Sequence, residues 1–168
     1  MIYRKLGRTD LDVSLISLGG GVFNRNKDPL EKTSEAINFA VENGINLIDI
    51  GKEYDEEFIG KAMGNNKKKI HIVARSEAKD GENLLNDIKD SINKLGVKPI
   101  PIYEVWKCNE NILEALKKAK RMGLIKCAGI FNHRIDVVEK AIKTGEFEVT
   151  TILYNLVHRM AEKIFPLA

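Results

Sequence analysis

Asp49 lies near the end of the run Asn46-Leu47-Ile48-Asp49-Ile50, and Tyr54 follows five residues later. A carboxylate at the carboxyl end of a buried strand is costly unless it has a partner or a chemical task. In sheets built from strand–helix units, strand carboxyl ends are where ligands bind and reactions run. A tyrosine on the loop just beyond can hang its phenol over the same pocket. Asp49 and Tyr54 together therefore predict an active site.

The elements that must position this pair alternate along the chain. Short β-branched runs occur at 15–18, 46–50, 70–74, 102–106, 127–131 and 149–154, with amphipathic helical stretches between them. Leu84, Ile88, Ile92 and Leu95 recur at three- and four-residue steps and make one apolar helix face. Asp28, Pro29 and Glu31 form a helix-start signal. Gly44, Gly96, Gly123 and Gly145 each follow a helical run, where a left-handed cap is expected. Strand–helix units repeated every 25–30 residues or so predict a parallel sheet with helical crossovers. Segments 2–5 and 13–15 flank Gly7-Arg8-Thr9-Asp10 and predict a β-hairpin ahead of the first of these strands.

The chain has 168 residues, 43% of them apolar and 30% charged, as expected for one globular domain spanning 1–168. A net charge of +3 gives no electrostatic footprint for nucleic acid. The Lys67-Lys68-Lys69 run has no stacking aromatics around it and predicts a solvated turn. No apolar run is long enough to span a membrane, and the first residues lack signal-peptide architecture, so a cytoplasmic protein is expected. Cys108 and Cys127 fall at opposite ends of the predicted sheet, too far apart for a disulfide. No Cys/His spacing predicts a metal site, and His71, His133 and His158 have the pattern of ordinary packing or surface residues.

Several motifs resemble the aldo/keto reductase family. They are Tyr3-Arg4-Lys5-Leu6-Gly7-Arg8-Thr9, Val13-Ser14, Gly44-Ile45-Asn46-Leu47-Ile48-Asp49 with Tyr54, and Ile59-Gly60-Lys61-Ala62. Gly123-Leu124-Ile125-Lys126, Gly129-Ile130 and Tyr154-Asn155-Leu156-Val157 with Arg159 continue the likeness. Asn132-His133-Arg134 is similar to the branch that often carries a ferredoxin-like extension; no such extension is present here, so no iron–sulfur cluster is implied. The resemblance implies an α/β fold, a (β/α)8 TIM-type barrel, incomplete at about six βα units. A chain stopping at Phe165-Pro166-Leu167-Ala168, inside the helix expected after the sixth strand, fits that truncation.

The resemblance implies hydride transfer from NADPH to a small carbonyl substrate. In that scheme a tyrosine donates the proton, a lysine–aspartate pair tunes the tyrosine, and a histidine orients the carbonyl. Tyr54 and Asp49 match two of these positions, while Arg75 stands at the lysine position and Trp106 at the histidine position. Arginine does not release a proton at physiological pH, and tryptophan offers one N–H donor and no acceptor. Glu104 falls on the same strand side as Trp106, where it can join Asp49 and Arg75 in a buried ion network. The loop from Tyr54 to Ile59 is shorter than the family's usual one.

For NADP(H), the implied binding residues are Gly20 and Gly21 in a glycine loop, Asn132 after Phe131, and Thr151 in place of the usual glutamine. The groups that grip the phosphates belong to units seven and eight, beyond the residues present. The favoured expectation is a divergent reductase with impaired or lost activity. The alternatives are an active NADPH-dependent reductase and a non-catalytic binding or assembly component completed by another chain. A barrel of six strands would leave two open edges, which predicts a homo-oligomer or a complementing chain.

Overall fold

The computed structural model describes residues 1–25, 29–51 and 54–167. Strands β1 (Tyr3–Lys5) and β2 (Asp12–Ser14) pair antiparallel as the expected hairpin. The chain then runs β3 (Leu18–Gly19), α1 (Gly21–Arg25), α2 (Leu30–Glu42), β4 (Leu47–Ile50) and α3 (Glu56–Met63). It continues β5 (His71–Ser76), α4 (Gly81–Leu95), β6 (Ile100–Val105), α5 (Glu110–Arg121), β7 (Ile125–Phe131), α6 (Ile135–Lys143) and β8 (Val149–Thr151). Strands β3 to β8 form a parallel sheet in sequence order. They curl into a partial barrel with the helices outside.

Strand alternation divides the apolar residues into two groups. Ile48, Ile50, Ile72, Ala74, Tyr103, Val105, Ala128 and Ile130 pack with the helices in the larger core. Val73, Ile102, Cys127 and Val149 face the inside of the curl, where Leu11 and Val13 from the hairpin cover them. The hairpin thus plugs one end of the interior and leaves the strand carboxyl ends for polar residues. On α4, Leu84, Ile88 and Leu95 are buried and Ile92 packs beside them, as the spacing requires. Gly44, Gly96, Gly123 and Gly145 all adopt positive φ after their helices. Asp28 lies outside the described residues, while Pro29 holds the position before α2 and Glu31 lies in its first turn.

The first strand of the parallel sheet departs from expectation. It occupies Leu18–Gly19 instead of 15–18, and Leu15 and Ile16 are exposed. Asn46 explains the shift. Its Oδ1 accepts from Ser14 N (2.8 Å) and its Nδ2 donates to Asp12 O (2.8 Å), clasping the hairpin to the start of β4. Ser14 Oγ then donates to Ile16 O (2.6 Å), so the chain turns before the parallel ladder begins.

The last segment also differs. The sixth parallel strand ends at Thr151, and the chain then forms 3-10 turns at Met160–Lys163 and Phe165–Leu167 instead of an α-helix. Asn155 Oδ1 accepts from Val157 N and His158 N (2.9 Å each), a local alternative to strand and helix ladders. Pro166 has no N–H to continue a helix. Lys67 and Lys68 lie in a 3-10 turn, Gly64–Lys68, as a solvated segment should. Among the described residues no helix is long and apolar enough to cross a membrane.

Candidate active site

Asp49, Arg75, Glu104 and Thr151 come from four strands and meet inside the curl. Arg75 pairs with Glu104 in register across β5 and β6. Its Nη2 donates to Asp49 Oδ1 and lies 3.4 Å from Glu104 Oε2. Its Cζ sits 4.0 Å from the centre of the Phe131 ring, a cation–π contact. Thr151 Oγ1 donates to Glu104 Oε1 (2.5 Å). Glu104 is wholly buried, and Asp49 is half-buried at the rim. Burial pushes the Glu104 carboxyl up to about 7; the Thr151 hydrogen bond and Arg75 oppose this, and the Asp49 charge adds to it.

Trp106 follows β6 directly, and its amide still donates to Ser76 O (3.2 Å). Its ring packs 5.1 Å from Phe131 and 5.6 Å from His133, which themselves lie 5.2 Å apart. These three mutually packed rings occupy the carboxyl ends of β6 and β7 beside the ion network. The side of the strand assigned to Glu104 and Trp106 by alternation is therefore the interior.

Tyr54 is half-buried over the start of α1. A Cβ added to Gly21 would lie 2.8 Å from the Tyr54 Cζ and hydroxyl, so only glycine admits the ring there. Gly20 N donates to Asp49 O (2.8 Å), tying this turn to β4. Gly20 and Gly21 thus seat Tyr54 next to the strand that carries Asp49. Among the described residues the Tyr54 hydroxyl has no hydrogen-bond partner.

The other residues expected at a cofactor have partners within the protein. Asn132 Nδ2 donates to Trp106 O (2.9 Å), and its Oδ1 accepts from Arg134 N (2.8 Å). Asn132 and Thr151 are therefore engaged in tying strand ends together, and what remains for a nicotinamide amide is the second Asn132 Nδ2 hydrogen and the acceptor side of the Thr151 hydroxyl. The described residues contain no group of three or more His, Cys, Asp or Glu able to hold a metal ion. His71 lies on β5, its imidazole driven toward the neutral form chiefly by burial. Cys108 and Cys127 are free thiols.

Two features escaped sequence reasoning. Thr151 joins Glu104 because the sheet's curl brings β8 toward β6, a closure no local pattern encodes. Phe131 caps Arg75 because β7 places the ring beside β5's arginine. Alternation pointed Glu104 inward, and a glycine on the adjacent strand was the available hint of the room it uses.

Residues 15–168 match the Aldo/keto reductase family. The chain belongs to the aldo/keto reductase family. It is 27% identical over an aligned 185 residues to an uncharacterized oxidoreductase, YqkF, of Bacillus subtilis (strain 168), with 98% of this chain and 60% of that protein covered. It is 26% identical over 164 residues to the methylglyoxal reductase DkgB of Salmonella typhi, covering 85% of this chain and 60% of that protein. Among solved structures, the holo form of aldo-keto reductase AKR11C1 from Bacillus halodurans superposes with a TM-score of 0.87 at 24% identity, over 99% of this chain and 62% of that one. The chain thus spans about 60% of the length of the curated relatives it matches. The fold of these aldo/keto reductases is the TIM barrel, of which six strands are described here.

Proposed function

We propose that this chain is a divergent aldo/keto reductase in which NADP(H)-dependent reduction of small carbonyl compounds is attenuated or lost. The observation that carries this reading is the state of Arg75. Its guanidinium is already matched by Asp49 and approached by Glu104, under the face of Phe131. The family's lysine can give up a proton; an arginine cannot near neutral pH. Trp106, at the position of the carbonyl-orienting histidine, is packed against Phe131 and His133. Asn132 and Thr151, the candidates for the nicotinamide, are bonded elsewhere.

The test is a fluorescence titration with NADPH, followed by an assay of NADPH oxidation with methylglyoxal, the compound named for the DkgB relatives. The expected result is no saturable micromolar binding and a turnover equal to that of Tyr54→Phe. Micromolar binding with methylglyoxal-dependent oxidation that Tyr54→Phe abolishes would establish an active reductase instead.

A second reading, association with another polypeptide or a second copy, has one observation in its favour. Strand β8 is a sheet edge, and beyond it Leu156 and Val157 are 96% and 85% exposed. Light scattering separates the two cases, because a stable monomer removes this reading.

A further inference from the structure

Five strands take part in one ribbon of contacts inside the curl. Asp49 on β4 accepts from Arg75 on β5, and Arg75 approaches Glu104 on β6. Glu104 in turn accepts from Thr151 on β8. Strand β7 contributes an absence. Gly129 is the register partner of Glu104, and a Cβ there would meet Glu104 Cγ at 2.7 Å and Oε1 at 3.4 Å. The Glu104 side chain therefore crosses β7 over a glycine to reach the next strand.

Polar capacity is left over at the centre of this ribbon. Arg75 Nε and Glu104 Oε2 are buried and make no hydrogen bond among the described residues. The charged groups facing Glu104 are Arg75 from β5 and Asp49 from β4; Gly129 and Val149 from β7 and β8, with Thr151, are neutral. A buried carboxylate persists only where partners offset its desolvation. Here the partners are one guanidinium, from β5 on one side of β6, and one hydroxyl, reached over Gly129 on the other.

We infer that Glu104 is a positioning residue: anchored by Thr151 and laid across Gly129, it holds the Arg75 guanidinium against Asp49 and beneath Phe131. Arg75 has five donors, and both carboxylates bear on one of its terminal nitrogens, Nη2, which donates to Asp49 and lies 3.4 Å from Glu104 Oε2. Thr151, in this arrangement, belongs to the support of the ion pair and not to a ligand. The inference goes beyond the reductase reading, since it concerns the order of one side chain and needs neither cofactor nor turnover.

The test is heteronuclear NMR of the Arg75 guanidinium, assigned by its disappearance in Arg75→Lys. The measured quantities are rotation about the Nε–Cζ bond and exchange of the Nε proton with solvent. In the unaltered chain the guanidinium is expected to rotate slowly. Thr151→Val preserves shape but removes the anchoring hydroxyl, and rotation and exchange should accelerate about tenfold, as for loss of one charge-assisted contact. Thr151→Ser should restore slow rotation, and Glu104→Gln should behave like Thr151→Val. Should one variant fail to fold by circular dichroism, the other carries the comparison. Slow rotation persisting in the folded variants, or fast rotation in the unaltered chain, would overturn the inference.

Discussion

Glu104 and Gly129 are register partners on β6 and β7, and the side chain Gly129 lacks is the space Glu104 crosses. A substitution at Gly129 should therefore act through Glu104. Gly129→Ala is expected to destabilise the fold by about 1–3 kcal/mol, the usual range for overpacking a filled interior. Much of that loss should vanish in a Glu104→Ala background, where the clashing Cγ is gone. Equal penalties for Gly129→Ala in both backgrounds, measured by urea unfolding, would contradict the crossing.

Arg75 serves two carboxylates, so its removal leaves an uncompensated buried charge. Arg75→Met should cost up to about 3–5 kcal/mol well above pH 7, where Glu104 is ionised, the range for breaking a buried ion pair, and less at neutral pH, where Glu104 takes up a proton instead. Adding Glu104→Gln should recover part of this by removing one of the stranded carboxylates. A cost below that of an exposed ion pair, roughly 1 kcal/mol or less, would show that the network is not formed.

The raised Glu104 carboxyl fixes the sign of a pH effect. The unfolded chain releases this proton near the ordinary value of 4.5, and the folded chain keeps it up to about 7. Within that window the folded state binds more protons, so stability falls as pH rises. Glu104 contributes most below the lower limit and adds no further slope above the upper one. Unfolding free energies of the unaltered chain and Glu104→Gln should therefore diverge across the window. Parallel pH profiles for the two proteins would refute the assignment.

Gly21 admits the Tyr54 ring, and the two should couple. Gly21→Ala is expected to cost about 1–3 kcal/mol by overpacking. In a double-mutant cycle with Tyr54→Ala the penalty should shrink by at least half. Additive effects would mean that the ring does not rest on this turn.

Burial raises both thiols, Cys127 buried and Cys108 half-buried. Thiolates are the reactive form, so both should react slowly with a disulfide reagent in the native state, Cys108 first. Two thiols should titrate on unfolding without reductant. Fewer than two would reveal a disulfide.

Much of the scaffold was legible from local pattern. The spacing of Leu84, Ile88 and Leu95 made α4 one-sided, and glycines marked where helices stop because a positive φ is strained for other residues. The inner strand limits were less legible. Leu15 and Ile16 look like strand residues, but Ser14 and Asn46 divert the chain first. At the site, strand-end position brought out Asp49, the family resemblance brought out Arg75 and Trp106, and alternation added Glu104. The engagement of Thr151 and Asn132 was not visible, because their partners lie 47 and 26 residues away.

By itself, the sequence determined the order of strands and helices, the inward row of polar residues and the family, since periodicity and motif spacing are local properties of the chain. Tertiary structure alone decided how those polar residues are used. Curling the sheet brings β8 to β6 and β7 over β5, and only then do Thr151 and Phe131 reach Glu104 and Arg75. Inside that curl Glu104 is removed from solvent, so its carboxyl depends on Arg75 and Thr151 for compensation.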